Sequence, residues 1–437
     1  MHLTPRAAAR SAILRAGFIY TVGNALSSGV PFLLLPVLTR ALSPADYGMV
    51  VSFFLLVTFS NSLAGLNVHS AVAVKWFRRE GGDFRSVVGT ALWLAAGTTL
   101  MCGIVLLCCA PILRTRLELA PLYWFLAAVQ NGGVVVVGVR AALWQSQGLA
   151  FRAASMQVAT AILNLVLSLF AVFVLSLGGA GRIMGSVAAS LISAAVAIRL
   201  LFTAGDARSS GSVTDLRWLL RFGLPLVPYA LTSALLANAD RFSVSAILGR
   251  NALGIYGAAA QLGMIVNVLN DAFIKALSPW MYSQLAKQSA RSRLRVVGAA
   301  YLLVPVWAAI AVALWLGLLT VGSVILDSRY RAAIDLSLWF LLGGAVTAVG
   351  SNVNGLFFFT SKNEWLTVAT VSSAIAAAVL APVLASTLGL KGAAVSFLII
   401  QLLLMLLAWL LSLRIQPMPW HRPLLAVQVL TQSWGRK

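Results

Sequence analysis

Charged residues are scarce in this sequence, and acidic residues are the scarcest. Asp and Glu together account for 11 of the 437 residues, and all charged residues for 10%, whereas about 25% is usual in a soluble domain. Hydrophobic residues reach 60%, and the mean hydropathy is +0.92. A chain with so few charges cannot cover a water-facing surface, so the composition predicts a membrane protein.

Cysteine and histidine are also rare, which limits the chemistry that the chain can perform. The three cysteines fall in one apolar run without metal-ligand spacing, and the three histidines are scattered. The sequence contains no nucleophile–base constellation and no phosphate-binding glycine loop. We therefore expect no metal, no cofactor and no enzymatic activity.

The basic residues that remain give a net charge of +21. Nucleic-acid binding requires such residues on one face or stripe, but here they form small clusters between apolar runs. We expect no nucleic-acid partner. Clusters of this kind are instead topology signals of membrane proteins.

Twelve apolar runs are long enough to cross a membrane, which takes about 20 residues. With the N-terminus inside, 22 of the 32 Lys and Arg residues fall in inside segments, 8 in outside loops and two within spans. This asymmetry predicts that both termini are cytoplasmic, with the Arg-rich start as a lead-in to the first helix. The runs are 15–38, 47–74, 86–109, 120–140, 153–176, 183–203, 218–248, 253–285, 297–325, 333–359, 365–386 and 392–413.

A polar, Gly/Ser-rich segment at 203–217 divides the runs into two sets of six. We therefore predict an N-terminal lobe with its cytoplasmic linker at 1–217, a C-terminal lobe at 218–414 and a cytoplasmic tail at 415–437. Landmarks recur 207–210 residues apart, and six helices per half give both halves the same orientation, which predicts a parallel repeat as in many transporters. The landmarks are Tyr47-Gly48 and Tyr256-Gly257, Arg152 and Lys362, and Gly185 and Gly392.

Five segments resemble the polysaccharide transporter family: LPVLTRALSPADYG, RFGLPLVPYAL, ANADRFSVSAILGRNALGIYGAA, ALSPWMY and LGLKGAAVSF. This family includes Wzx-type flippases of lipid-linked oligosaccharides and lies in the superfamily of MurJ and the MATE exporters. The resemblance covers nearly the whole chain and is most specific from Arg221 to Gly257. It implies an all-α polytopic membrane protein of twelve transmembrane helices, in two six-helix lobes around a cavity lined mainly by helices 1, 2, 7 and 8.

The same resemblance implies a function. It points to alternating-access transfer of a polyprenyl-diphosphate-linked oligosaccharide, such as an O-antigen, capsule or exopolysaccharide repeat unit, across the bacterial inner membrane. Expected partners are that glycan, membrane lipid, a polysaccharide polymerase and other assembly proteins. The alternative is a MATE-like, cation-coupled exporter of small organic molecules, which favours unpaired acids in the cavity. A membrane-bound glycan polymerase or ligase would carry a sizeable external loop, and the outside loops here are short.

Polar side chains inside the spans are candidate substrate contacts, because such groups usually face a cavity or a partner helix. Each amide has the alternative of an interhelical hydrogen bond, worth about 0.6 kcal/mol, and a lone His has the alternative of packing rather than proton coupling. For Asp271 and Lys275 on the eighth span, we favour a position facing the cavity over contact with a partner helix. Residues four apart share a helix face, and three faces result: Asn24 and Ser28 on the first span, Asn61, Gly65 and His69 on the second, and Asn267, Asp271 and Lys275 on the eighth.

Asp240 and Arg241 are adjacent charges in the seventh span. Adjacent helix positions point about 100° apart, so the two side chains serve different neighbours. We predict that Asp240 is a structural pin to a neighbouring helix or loop, and Asp271 is a second candidate for a pin or a coupling group. Arg241 is either a positive group at the cavity mouth, and so a substrate contact, or a side chain that extends to the membrane surface.

The sixth span carries a stripe of small residues, which is typical of close helix packing. Its members are Gly181, Gly185, Ala189, Ser193 and Ala197.

Overall fold

The computed structural model of the chain describes Gly23, Gly29, residues 32–78 and residues 83–434, and every regular element within them is a helix. Asn24, the candidate on the first span, lies outside the described residues. The helices are α1 (Phe32–Ala41), α2 (Pro44–Asn61), α3 (Val68–Arg78), α4 (Phe84–Leu117), α5 (Pro121–Ser146), α6 (Ala150–Leu169), α7 (Gly178–Thr203), α8 (Val213–Gly223), α9 (Val227–Ala286), α10 (Ala290–Ile325), α11 (Ala332–Thr360), α12 (Asn363–Ile415) and α13 (Pro423–Trp434).

Within the described residues, eight helices are long and apolar enough to cross a membrane, or nine if one bent pair counts as a single span. At 60 and 53 residues, α9 and α12 would be about 90 Å and about 80 Å long, far more than the hydrocarbon core of about 30 Å. Each breaks at a glycine with positive φ, Gly249 (83°) and Gly389 (61°), and therefore has two arms. The all-α polytopic fold is confirmed, and the number of twelve spans stays a prediction.

The second predicted span is not one straight helix. It consists of α2, a 3-10 turn at Ala64–Asn67 and α3, and the two parts are bent by 51°. The prediction that Asn61, Gly65 and His69 share one helix face is therefore wrong, because Asn61 ends α2 whereas His69 lies in the first turn of α3.

The bend has a local cause in three consecutive residues with positive φ, Gly65, Leu66 and Asn67. Glycine adopts this conformation without a steric penalty, and asparagine tolerates it better than most residues. The Gly65 N–H donates to Thr98 Oγ1 at 2.9 Å, which replaces a hydrogen bond that a continuous helix would supply. A Cβ at Gly65 would also lie 2.5 Å from Val135 Cγ1, so this position requires glycine.

The chain forms two compact units. Unit 1 consists of Met1–Ala234 with Gly249–Gly254, and within it α5 packs against α2, α3, α4 and α7. Unit 2 consists of Leu235–Leu248 with Ile255–Lys437, and within it α11 packs against α10 and α12, while α13 covers α10. The division into lobes at residue 217 stays a prediction.

The predicted small-residue stripe of α7 is confirmed as a packing face, because all five residues are buried. Two of its glycines bring α7 onto the backbone of the preceding segment. A Cβ on Gly181 would lie 2.7 Å from the Ala171 carbonyl oxygen, and a Cβ on Gly185 would lie 2.6 Å from Ser168 Cα. Such approaches allow helices to pack closely in a membrane.

We expect the Gly185→Leu variant to lower the yield of folded protein, because a large side chain would push α7 away from α6. Overpacking of this kind costs about 1–3 kcal/mol. The measurement is the membrane yield together with the size-exclusion profile in detergent. Met184→Leu is the matched control, because Met184 is exposed on the same helix. Equal yields of the two variants would contradict the prediction.

Candidate functional site

Asp240 is buried and joins the two arms of α9. Tyr256 Oη donates a hydrogen bond to Asp240 Oδ2 at 2.7 Å, and both side chains are buried. Asp240 precedes the break at Gly249 and Tyr256 follows it, so this bond ties the arms of a helical hairpin. The neighbour that Asp240 contacts is therefore the eighth predicted span.

Arg241 is oriented differently from Asp240. Its backbone N–H donates to Asp240 Oδ1 at 2.8 Å, whereas its guanidinium Nη1 donates to Asn238 Oδ1 at 3.0 Å. Arg241 is half-buried, and Asn238 is buried. The guanidinium is thus held by an amide one helical turn earlier and forms no ion pair with the adjacent carboxylate.

The second arm of α9 carries Asn267, Asp271 and Lys275, which we name the α9 polar face. The helix is continuous from residue 250 to residue 286, so the three side chains share one side, as the four-residue spacing predicts. Asn267 is half-buried beside Gly344 of α11, whereas Asp271 and Lys275 are exposed. Among the described residues, neither the Asp271 carboxylate nor the Lys275 ammonium has an ion-pair or hydrogen-bond partner.

The two candidates on the second predicted span have different surroundings. Asn61 is exposed at the end of α2. His69 is half-buried and lies against Gly138 of α5. A Cβ added at Gly138 would be 3.6 Å from the His69 Cβ. His69 therefore packs on α5, and the bend separates it from the face that holds Asn61.

Two buried cations in unit 1 were missed as candidate functional residues. Arg140 of α5 forms a 2.5 Å ion pair with Asp206 and stacks on Trp144, with 4.2 Å between the guanidinium carbon and the ring centroid. Arg182 of α7 donates to the Asn164 and Ser168 side chains, each at 2.8 Å. The positive-inside count places Arg140 in an inside segment and Arg182 in an outside loop. The apolar sequence VVVVGVRAALW around Arg140 was the signal that it belongs to a span.

Metal-ligating clusters are absent from the described residues. No three His, Cys, Asp or Glu side chains in residues 32–78 and 83–434 lie close enough together to hold a metal ion. Some charged groups instead lie within apolar helices, among them Asp240 with Arg241 and Asp271 with Lys275. Such groups are costly in a membrane and typically line polar pathways or stabilise helix contacts.

Comparison with known sequences supplies the family. A family model described as "Polysaccharide biosynthesis protein" matches residues 13–285, which is more than half of the chain. The chain belongs to this family. It is also 24% identical over 372 residues to "Lsg locus putative protein 1" of Haemophilus influenzae, a match that covers 83% of this chain and 89% of that protein.

Solved structures show that this member of the polysaccharide biosynthesis protein family has the MATE/MurJ fold. It is similar to a multidrug resistance MATE family transporter of the MOP superfamily in an inward-facing conformation, with a TM-score of 0.69, 17% identity and coverage of 97% of this chain and 99% of the other. It is also similar to the lipid II flippase MurJ in an inward closed conformation, with a TM-score of 0.67, 11% identity and coverage of 95% and 93%. The protein is therefore a multi-pass membrane protein with a transporter fold.

Proposed function

We propose that the protein is a flippase that moves a polyprenyl-diphosphate-linked oligosaccharide from the inner to the outer leaflet by alternating access. The observation that carries this proposal is membership of a polysaccharide biosynthesis family combined with a fold that a lipid II flippase and a MATE transporter share. A membrane transporter contributes to polysaccharide synthesis by moving an intermediate to the side on which it is used.

The α9 polar face supports the same function. Two unpaired charges inside a membrane span are tolerated where water reaches them, so we infer that Asp271 and Lys275 border a water-filled cavity. A diphosphate needs a cation in such a cavity, whereas its lipid tail can stay in the bilayer. Lys275 is the proposed contact with the diphosphate, and Asn267 is a second proposed contact two helical turns earlier on the same face. Asn24, Asn61, His69 and Arg241 remain proposed contacts of the same substrate.

We assign the protein to the bacterial inner membrane with both termini in the cytoplasm. The support is the excess of Lys and Arg in alternate segments between the spans, which is 21 against 7 once the buried helix residues Arg140 and Arg182 are left out. A polysaccharide polymerase and other assembly proteins are the proposed partners, because a translocated repeat unit must be polymerised on the outer side.

The experiment that tests this function is deletion of the gene in its own host. We expect lipid-linked oligosaccharide to accumulate at the cytoplasmic leaflet and surface polysaccharide to be lost, with both restored by a plasmid-borne copy. Mass spectrometry of extracted lipids, together with staining of surface polysaccharide, provides the measurement. Unchanged polysaccharide with increased sensitivity to organic cations would contradict the flippase proposal and identify an exporter instead.

A further inference from the structure

An open groove of about 660 Å³ lies on unit 1, formed by α5, α6 and α7. Its apolar wall consists of residues from α6 and α7, among them Met156, Leu163, Ile192 and Val196. Ile192 and Val196 are exposed, so part of this wall is uncovered. The groove contains none of the residues of the α9 polar face.

One end of the groove is cationic. Arg140 and Arg152 both line it, near the end of α5 and the start of α6. Asp206 pairs with Arg140, whereas the exposed Arg152 guanidinium has no partner among the described residues. This end therefore has two guanidinium groups and one carboxylate, and its positive charge is only partly compensated.

Two buried donors near the same end lack acceptors. Arg140 Nε and Trp144 Nε1 form no hydrogen bond to any described residue, and both residues line the groove. A buried donor without an acceptor costs about 1–3 kcal/mol. An anionic group with several oxygens at this end would offer acceptors to the Arg152 guanidinium, whereas the Ser155 and Thr203 hydroxyls, which also line the groove, already donate to the Arg152 and Arg199 carbonyl oxygens.

The length of the groove fits one leaflet. Arg152 and Leu163 mark its extent along α6, and eleven helical residues span about 17 Å. Half of the hydrocarbon core is about 15 Å. A single acyl chain therefore fits the apolar wall while its headgroup lies at the arginines, whereas an undecaprenyl chain is far longer than one leaflet is deep.

We propose that this groove is a binding site for one anionic phospholipid of the leaflet next to the Arg140 and Arg152 end. The Arg152 guanidinium binds the lipid phosphate, Arg140 adds positive potential beside it, and an acyl chain lies along α6 and α7. The positive-inside count assigns this leaflet to the cytoplasmic side. None of the proposed glycan contacts in the described part of the chain lines the groove, so this proposal does not depend on the flippase proposal.

The test compares lipids retained by the purified full-length protein in native mass spectrometry, after titration with phosphatidylglycerol or phosphatidylcholine. We expect the wild type to retain phosphatidylglycerol selectively and Arg152→Gln to weaken that binding about tenfold, the effect of one charge-assisted hydrogen bond. Arg199→Gln is the matched control, because Arg199 is an exposed arginine of α7 outside the lining residues. It should bind as the wild type does.

A second variant tests the apolar part. Ala159 is an exposed lining residue of α6, and Ala159→Trp should weaken retention by filling the groove while leaving both arginines in place. Equal loss in Arg152→Gln and Arg199→Gln, or equal retention of the two phospholipids, would overturn the proposal. Displacement of phosphatidylglycerol by equimolar undecaprenyl phosphate would overturn the assigned occupant and identify the polyprenyl lipid in its place.

Discussion

Lys275→Glu should abolish transport by this protein while its abundance in the membrane stays near normal. Lys275 is exposed and unpaired within the described residues, so its replacement breaks no hydrogen bond or ion pair there. A diphosphate that approaches a glutamate in place of the ammonium would meet a repulsive charge. Loss of one charge-assisted interaction, about 1.5–3 kcal/mol, corresponds to about a ten- to hundredfold loss of transport, and charge reversal adds to it.

The measurement is complementation of a flippase-null strain, with accumulated lipid-linked oligosaccharide and protein level determined in the same cells. Lys275→Ala should also fail, whereas Lys275→Arg should retain partial activity because the charge survives. Lys287→Glu is the matched control, because Lys287 follows the end of α9 and is exposed outside the span. Full complementation by Lys275→Glu at equal abundance would show that Lys275 does not contact the diphosphate.

Asp271 lies one helical turn before Lys275, and this spacing allows an ion pair between them. The structure holds both side chains exposed and unpaired, so the pair is not formed in this conformation. The i, i+4 spacing brings the side chains within reach but does not require contact where water can solvate both. Asp271 could act as a coupling group, or its carboxylate could compete with the diphosphate for the Lys275 ammonium, only in a different conformation. Substrate binding would have to shift the protein to that conformation.

The overall fold could be predicted from the sequence because its determinants are local and repeated. Apolar runs of membrane-spanning length, separated by basic clusters, predict an all-α membrane protein without any knowledge of tertiary contacts. The break between the arms of α9 at Gly249 also agrees with the predicted runs 218–248 and 253–285. A glycine between two apolar runs is a signal that the sequence carries by itself, because glycine adopts positive φ without a steric penalty.

The errors arose where tertiary contacts decide the backbone. The bend at Gly65 depends on the Thr98 hydroxyl and on the lack of space beside Val135, and neither contact can be deduced from hydropathy. A run of sufficient hydrophobicity was therefore predicted as one helix with one face. The sequence itself places Arg140 in an apolar run, but only the structure shows that Asp206 compensates the charge of this buried arginine.

The candidate site was predicted unevenly. The face of Asn267, Asp271 and Lys275 follows from helical periodicity alone, and the helix there is continuous. The partner of Asp240 could not be identified, because a carboxylate inside a span indicates that a partner exists but not which one. In the sequence, Tyr256 is only a landmark of the internal repeat. In the structure, its hydroxyl group donates the hydrogen bond that the Asp240 carboxylate accepts.

Asp240→Ala is expected to destabilise the α9 hairpin, because it leaves the buried Tyr256 hydroxyl without an acceptor. Tyr256 also packs edge-to-face against Phe340, with ring centroids 5.0 Å apart, so the ring cannot turn its hydroxyl towards water without losing that contact. An unsatisfied buried donor costs about 1–3 kcal/mol, and the space left by the carboxylate adds to the loss. We expect a lower Tm in detergent, measured by tryptophan fluorescence on heating.

Two substitutions separate the hydrogen bond from the volume change. Asp240→Asn keeps an oxygen acceptor of nearly the same size and should lose less stability than Asp240→Ala. Tyr256→Phe removes the donor, and its matched control is Tyr229→Phe, since Tyr229 is an exposed tyrosine of α9.

If the Asp240–Tyr256 bond is the pin, the double variant Asp240→Ala with Tyr256→Phe should lose less stability than the sum of the two single losses. The difference should be about 0.5–3 kcal/mol, as for residues in direct contact. Strictly additive losses would mean that the two side chains act separately, and that the arms of the hairpin are held by the apolar contacts around them.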